Sequence, residues 1–209
     1  MGRPREHGER TREALLAAAA ELVHAEGPAA VSVRRVAEAA GTTTRAVYSL
    51  FGDKDGLLRA LYREVAETMR RHHEEVAERD DPVAEIPDLA LGYRAAGLAQ
   101  PQLYDLWFAA IGRPNAALHR EDAELGLRSL ERVRRTVDRA VAAGGFPGRP
   151  ADQVVQQLFA MVHGLMSLEL SGFLGDERAA AATWSAMVTA LLHGLRQPPD
   201  RPARPPRRR

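Results

Sequence analysis

The stretch VSVRRVAEAAGTTTRAVYSLFGDKDGLLRALYREV, Val31 to Val65, decides how this chain folds. Ser32 is a good N-cap, and Val33, Val36, Ala37 and Ala40 then fall on one face of a short helix that Gly41 breaks. Thr43 is a second cap, and Thr44 to Phe51 reads as another short helix that stops at Gly52. Two short helices joined by a tight glycine-containing turn match the helix-turn-helix plan, whose second helix enters the major groove of DNA.

That second helix is expected to have two faces. Val47, Leu50 and Phe51 lie at i, i+3 and i+4 and should pack inward, while Thr44, Arg45, Tyr48 and Ser49 share the opposite surface. Arg45 suits either a guanine edge or a phosphate, Thr44 and Ser49 suit bases, and Tyr48 suits a phosphate. Ser32 and Lys54, at the starts of two helices, are expected at the phosphate backbone, and Thr43 completes the DNA-binding set.

Upstream, Leu15, Ala19, Leu22 and Val23 form the apolar stripe of a bracing helix over about Thr11 to Glu26, ended by Gly27-Pro28. Downstream, Asp53 caps a helix carrying Leu57, Leu58, Leu61 and Val65, which is expected to run to about Glu78 before Asp80-Asp81-Pro82. Further helices are expected near 85–99, 102–112, 115–143, 151–174 and 177–196, separated by proline and glycine breaks. The fold class is therefore all-α, with about nine helices. Three regions follow: a DNA-binding domain over 1–56 with a flexible arm, a ligand-binding and dimerisation domain over 57–197, and a disordered Pro/Arg tail over 198–209.

Composition sets the outer bounds. The 209 residues are 45% hydrophobic and 27% charged, the balance of a globular protein with a real core. No run is long and apolar enough for a membrane span, and zero cysteines exclude disulfides and thiolate metal sites, so a cytoplasmic location is expected. The net charge is only +1, so attraction to nucleic acid must come from local placement of cations. Lys54 is the only lysine, and it sits inside the motif. Arg3, Arg5, Arg10 and Arg12 can add salt-dependent contacts, diluted by Glu6, Glu9 and Glu13.

Enzyme chemistry finds little footing. Glu21 and His24 have the spacing of one half of a di-iron carboxylate site, but such sites need two such motifs. His72 and His73 are adjacent, and a helix points them about 100° apart, so they cannot share an ion. Neither a catalytic nucleophile with its base nor a phosphate-binding glycine loop is present, so no catalytic residue, metal or cofactor is expected.

The Val31–Val65 run resembles the DNA-binding domain of TetR-family regulators. The likeness rests on Val36-Ala37, Ala40-Gly41, Tyr48, Phe51, Lys54 and Leu57-Leu58. GYRAAGLAQPQLYDLWF, Gly92 to Phe108, and VHGLMSLELSGFL, Val162 to Leu174, are similar to a C-terminal subclass that carries Trp-His-Gly, with Val162 replacing the tryptophan before His163-Gly164. The resemblance implies a three-helix DNA-binding head, dimerisation through the last two long helices, and release from DNA when a small ligand binds.

The residues themselves bear on these expectations. Leu158, Met161, Leu165 and Met166 in the helix near 151–174, with Trp184, Met187, Val188, Leu191 and Leu195 in the helix near 177–196, exceed what one packing partner needs. A homodimer through these two helices would bury the excess and match a palindromic DNA site. Tyr93, Tyr104, Trp107, Phe108, Met161 and His163 can line a mostly apolar pocket for a small ligand, ordinary core packing being the alternative for each. The expected function is a sequence-specific transcriptional regulator, a ligand-responsive repressor. The alternative is a DNA-binding protein of the same fold that organises chromosomes or binds proteins without a ligand.

Overall fold

The computed structural model of the chain describes residues 3–104, 126 and 128–198. Among the described residues there are eight α-helices and no strand. They are α1 (Arg3–Glu26), α2 (Val33–Ala39), α3 (Thr44–Phe51), α4 (Lys54–Glu74), α5 (Ile86–Ala99), α6 (Glu131–Ala142), α7 (Ala151–Leu170) and α8 (Glu177–Arg196). The chain divides into two compact units, one comprising Met1–Glu74 and Ala95–Glu131, the other Glu75–Arg94 and Arg132–Arg209.

In the first unit a single apolar cluster gathers one face each of α1, α2, α3 and α4. Leu15, Leu16, Ala19 and Val23 of α1 meet Val36 and Ala37 of α2, Val47 of α3, and Leu57, Leu61, Tyr62 and Val65 of α4. Leu103, in the 3-10 turn Pro101–Leu103, closes the same cluster. His73, near the end of α4, is buried, and its Nδ1 donates to the carbonyl of Ser129 at 3.0 Å.

The second unit combines an apolar interior with two polar nodes. Tyr93, Phe146, Val154, Leu158, Met166 and Trp184 are among its buried side chains. Glu169 on α7 accepts from Arg94 Nε at 2.9 Å and Nη2 at 2.5 Å, and from Trp184 Nε1 at 2.7 Å. This node ties α5, α7 and α8 together with directional bonds that apolar packing cannot supply.

The deeper node is Glu85, fully buried at the end of the 3-10 turn Pro82–Glu85. It accepts from the Arg79 backbone N–H at 2.7 Å, Arg132 Nη2 at 2.9 Å, Thr136 Oγ1 at 3.0 Å and Arg139 Nη1 at 2.9 Å. Burial pushes its carboxyl upward, but the Arg79 amide and the side chains of Arg132, Thr136 and Arg139 together outweigh burial and bring it down to about 2.

Several expected boundaries shift. α1 begins at Arg3 rather than near Thr11, because Pro4 falls in the first turn, where a missing N–H costs nothing. α4 stops at Glu74, short of Glu78, and the carbonyl of Val76 and the amide of Arg79 turn instead to Arg132 and Glu85. α7 ends at Leu170, short of 174. Gly172, at φ 76°, donates to Glu169 O, and Phe173 donates to Leu168 O, a Schellman stop that needs glycine. Most of the helix expected over 102–112, the 115–125 part of the helix expected over 115–143 and residues 199–209 of the tail lie outside the described residues.

The Glu85 node sets an acid limit. Its native carboxyl is depressed from 4.5 to about 2, so the ionised form stabilises the fold fully above about 4.5 and the contribution is lost as pH falls toward 2. Glu85→Leu leaves Arg132 buried without its carboxylate and should cost about 3–5 kcal/mol in urea unfolding at pH 7. Glu85→Gln should flatten the change of stability between pH 4.5 and about 2; a wild-type slope there would show that other carboxyls dominate.

Candidate nucleic-acid interface

The candidate DNA-reading helix, α3, is positioned from both ends. At its start, Thr43 Oγ1 accepts from the amide of Ala46 at 3.3 Å. Before it, Gly41 adopts φ 63°, its amide donates to Glu38 O, and Thr42 donates to Ala37 O, so α2 ends in the same kind of stop that ends α7. At its end, Gly52, at φ 82°, returns its amide to Tyr48 O. Asp53 Oδ1 then accepts from the Gly56 amide at 2.6 Å and opens α4.

With the ends held, burial sets the rotation of α3. Val47 is fully buried, and Ala46 and Phe51 pack partly against the same cluster. Thr44, Arg45, Tyr48 and Ser49 are all exposed, Tyr48 at 57%. At about 100° per residue these four occupy one continuous arc of the helix. The structure therefore brings the expected reading face together on one surface.

One member of the expected inward set departs from it. Leu50 is 37% exposed, because at the last turn of α3 the covering helices leave a groove beside it. Its i, i+3 relation to Val47 is correct, but the cluster that takes Val47 and part of Phe51 leaves the side of α3 that carries Leu50 open to this groove.

The phosphate-facing candidates carry bonds of their own. Ser32 Oγ accepts from the Arg35 amide at 3.3 Å, and as acceptors Ser32 and Thr43 each keep a hydroxyl proton to donate outward. Lys54 Nζ lies 3.5 Å from the Ala29 carbonyl, which steadies the side chain beside the start of α2. The start of α2 is also clamped from α1. Arg35 donates to Glu26 at 2.5 and 3.0 Å and to Ala30 O at 3.2 Å. That hydrogen bond holds the Glu26 carboxyl below its ordinary range and raises the Arg35 guanidinium.

The clamp escaped sequence reading, because nothing local links positions separated by nine residues across a glycine-proline turn.

The ligand candidates fall less neatly. In the second unit the Tyr93 hydroxyl lies 3.5 Å from His163 Nδ1, and Phe159 stacks on the His163 ring at 5.9 Å while meeting Tyr93 edge-on at 6.3 Å. Phe159 was not among the expected residues; its i, i+4 spacing to His163 was the available signal. Met161, two residues on from Phe159, falls on the opposite flank of α7 from His163. Tyr104 is buried in the first unit, and Trp107 and Phe108 lie outside the described residues. Among the described residues no group of His, Cys, Asp or Glu is placed to hold a metal ion.

Residues 15–61 match the model of bacterial regulatory proteins of the tetR family, and residues 86–191 match the tetracyclin repressor-like C-terminal domain. No curated protein matches the chain significantly. Among solved structures, a protein of unknown function from Rhodococcus sp. RHA1 is 28% identical over 90% of this chain and 96% of its own, with a TM-score of 0.71. A TetR family transcription regulator from Marinobacter aquaeolei VT8 is 22% identical over 89% and 97%, TM-score 0.73. The TetR family regulator PfmR from Thermus thermophilus is 20% identical over 87% and 98%, TM-score 0.72. At those identities the last two share the fold. The family models cover residues 15–61 and 86–191, with the exposed arc of α3 inside the first: the chain belongs to the TetR family of bacterial regulatory proteins.

Proposed function

We propose that this chain acts as a homodimeric, ligand-responsive repressor that binds a near-palindromic operator. The observation that carries the reading is the outward arc of Thr44, Arg45, Tyr48 and Ser49 on a helix whose back is held by Val47. Arg45 reads a base edge, Thr44 and Ser49 add base contacts, and Tyr48, Ser32, Thr43 and Lys54 hold the backbone. Residues 1–56 form the DNA-binding domain in this reading, and 57–197 the ligand-binding and dimerisation domain. It assigns the chain no catalytic residue, metal or cofactor and places it in the cytoplasm; no described helix is long and apolar enough to cross a membrane.

The dimer proposal rests on what the last two helices leave uncovered. Leu158, Leu165, Met166, Trp184, Val188 and Leu195, expected in part at the interface, are consumed by the chain's own interior. Of the residues expected there, Met187 stays exposed, at 46%, and Met161 and Leu191 are half-buried; beside them Gly164 and Leu168 on α7 and Ala186 and Ala190 on α8 are also exposed. Small residues beside a few large apolar ones let helices approach closely. Two such heads would place their α3 helices in successive major grooves, about 34–36 Å apart or a multiple of it.

For the ligand, the Tyr93, Phe159 and His163 cluster favours a small, mostly apolar molecule with one polar group. The same part of the chain includes His163-Gly164, which supports the Trp-His-Gly subclass with Val162 in the tryptophan's place. A ligand that prefers the dimer with wrongly spaced heads weakens DNA binding by its differential affinity.

Selection of bound fragments from random DNA tests the reading; one enriched palindrome supports it, and diffuse enrichment favours the organising-protein alternative. Against that palindrome, Arg45→Ala should cost about 1–3 kcal/mol and relax one position in each half-site. Unchanged operator affinity would overturn the contact assignment. Ala190→Arg, exposed on α8, should leave the monomer folded but yield a 22.9 kDa species in sedimentation at micromolar concentration. A dimer that survives this charge would move the interface elsewhere.

A further inference from the structure

We propose, on the DNA-binding reading above, that Glu26 is a brake on sequence-independent DNA binding: its carboxylate fills the Arg35 guanidinium as an internal stand-in for a phosphate. Glu26 is the last residue of α1 and Arg35 lies in the first turn of α2, with the 3-10 turn Pro28–Ala30 between them. Arg35 Nη1 donates to Glu26 Oε2 at 3.0 Å, and Nη2 donates to Oε1 at 2.5 Å. A guanidinium grips two oxygens of a phosphate with the same planar fork.

The pair is not needed to hold α2 in place. Its side chains are 43% and 48% exposed, and water screens an ion pair at that exposure so far that it adds little to folding. Val31, Val36 and Ala37 are buried, and Ser32 Oγ accepts from the Arg35 amide whatever the guanidinium does. What the pair controls is charge. Arg35 Nη1 also donates to Ala30 O at 3.2 Å, and Lys54 Nζ, assigned to the duplex backbone in that reading, lies 3.5 Å from Ala29 O. The two cations stand on adjacent carbonyls of one turn. A phosphate that approaches Lys54 therefore meets Arg35 beside it, and the Glu26 carboxylate with it.

To reach Arg35 that phosphate has to displace the carboxylate. Exchanging one anion for another in the same fork gains little, and it leaves the Glu26 charge uncompensated beside a polyanion. Arg35 is thereby withheld from the DNA backbone, and the affinity shared by every sequence is lower by about one phosphate contact per head. Glu26 and Arg35 lie on α1 and α2, so this brake is separate from base reading by the arc of α3.

Fluorescence anisotropy of a random-sequence duplex, titrated with the full chain over a series of sodium chloride concentrations, tests the brake. Glu26→Gln keeps the shape and an acceptor but removes the charge. It should bind the duplex about tenfold more tightly at about 50 mM salt, and its plot of log affinity against log salt should steepen by about one per head. Its urea midpoint should match the wild type. Glu26→Gln/Arg35→Gln, which restores the wild-type net charge, should return both affinity and slope to wild-type values. An unchanged slope in Glu26→Gln overturns the proposal, as does weaker binding, which would make the pair a device for positioning α2. A double variant as tight as the single one would show that Glu26 acts by repulsion alone and would overturn the stand-in. A wild type that binds no duplex sinks the DNA-binding reading and the brake together, whereas a wild type that binds while Glu26→Gln changes nothing sinks the brake alone.

Discussion

Everything at the proposed DNA-facing surface depends on how one buried valine fixes the rotation of a short helix. α3 has eight residues, fewer than an isolated helix needs to hold together in water. Its stability and its orientation must come from outside it. Val47 supplies both, since burying one such side chain is worth about 1.5–3 kcal/mol, and rotating it out of the cluster forfeits that. The caps at Thr43 and Gly52 fix where the helix starts and stops, but they leave rotation about its axis undetermined. A rotation of one residue's worth, about 100°, would send Val47 into water and turn the four polar side chains away from a groove.

The same logic explains what was legible in the sequence. Local signals sufficed for the motif: Ser32 and Thr43 cap as their spacing requires, Gly41 takes the left-handed conformation that the turn needs, and the polar face of α3 points outward. Periodicity also placed α5 and α8 almost to the residue. What failed depended on neighbours distant in sequence. Leu50 carries the right spacing for burial, yet whether a helix end is covered depends on where α1 and α4 cross it. Glu85 reads as one more surface glutamate until Arg132 and Arg139 arrive from about fifty positions away. Apolar spacing on α7 and α8 likewise signalled burial without distinguishing an interior from an interface; most of that surface faces the chain's own core.

Electrostatics in this chain are local throughout. A net charge of +1 averages over 29 basic and 28 acidic side chains and conceals how they are paired. Arg35 is spent on Glu26, Arg94 on Glu169 and Arg132 on Glu85, pairs that join separate parts of the fold, while Arg70 is spent on Glu67 within α4. Mutual pairing removes them from any account of attraction to a polyanion. What remains for a partner is decided by position, which is why Arg45 on an exposed arc counts for more than the excess of arginine over the whole chain.

The two glutamate nodes of the second unit show why buried charge is tolerated there at all. An ion pair taken out of water gains little over an apolar pair of equal volume, so stability alone does not account for Glu85 with Arg132 or Glu169 with Arg94. Their bonds are directional, however, and each glutamate engages partners from separate elements. α8 is rich in alanine along Ala179–Ala182 and at Ala186 and Ala190, and small side chains define a helix's register poorly, because sliding or rotating it exchanges one alanine for another at little cost. Trp184, buried with its indole N–H on Glu169, removes that degeneracy: only one register satisfies both its volume and its donor. With that register fixed, Met187 and Ala190 stay on the outside of α8, where the proposed partner helix must find them.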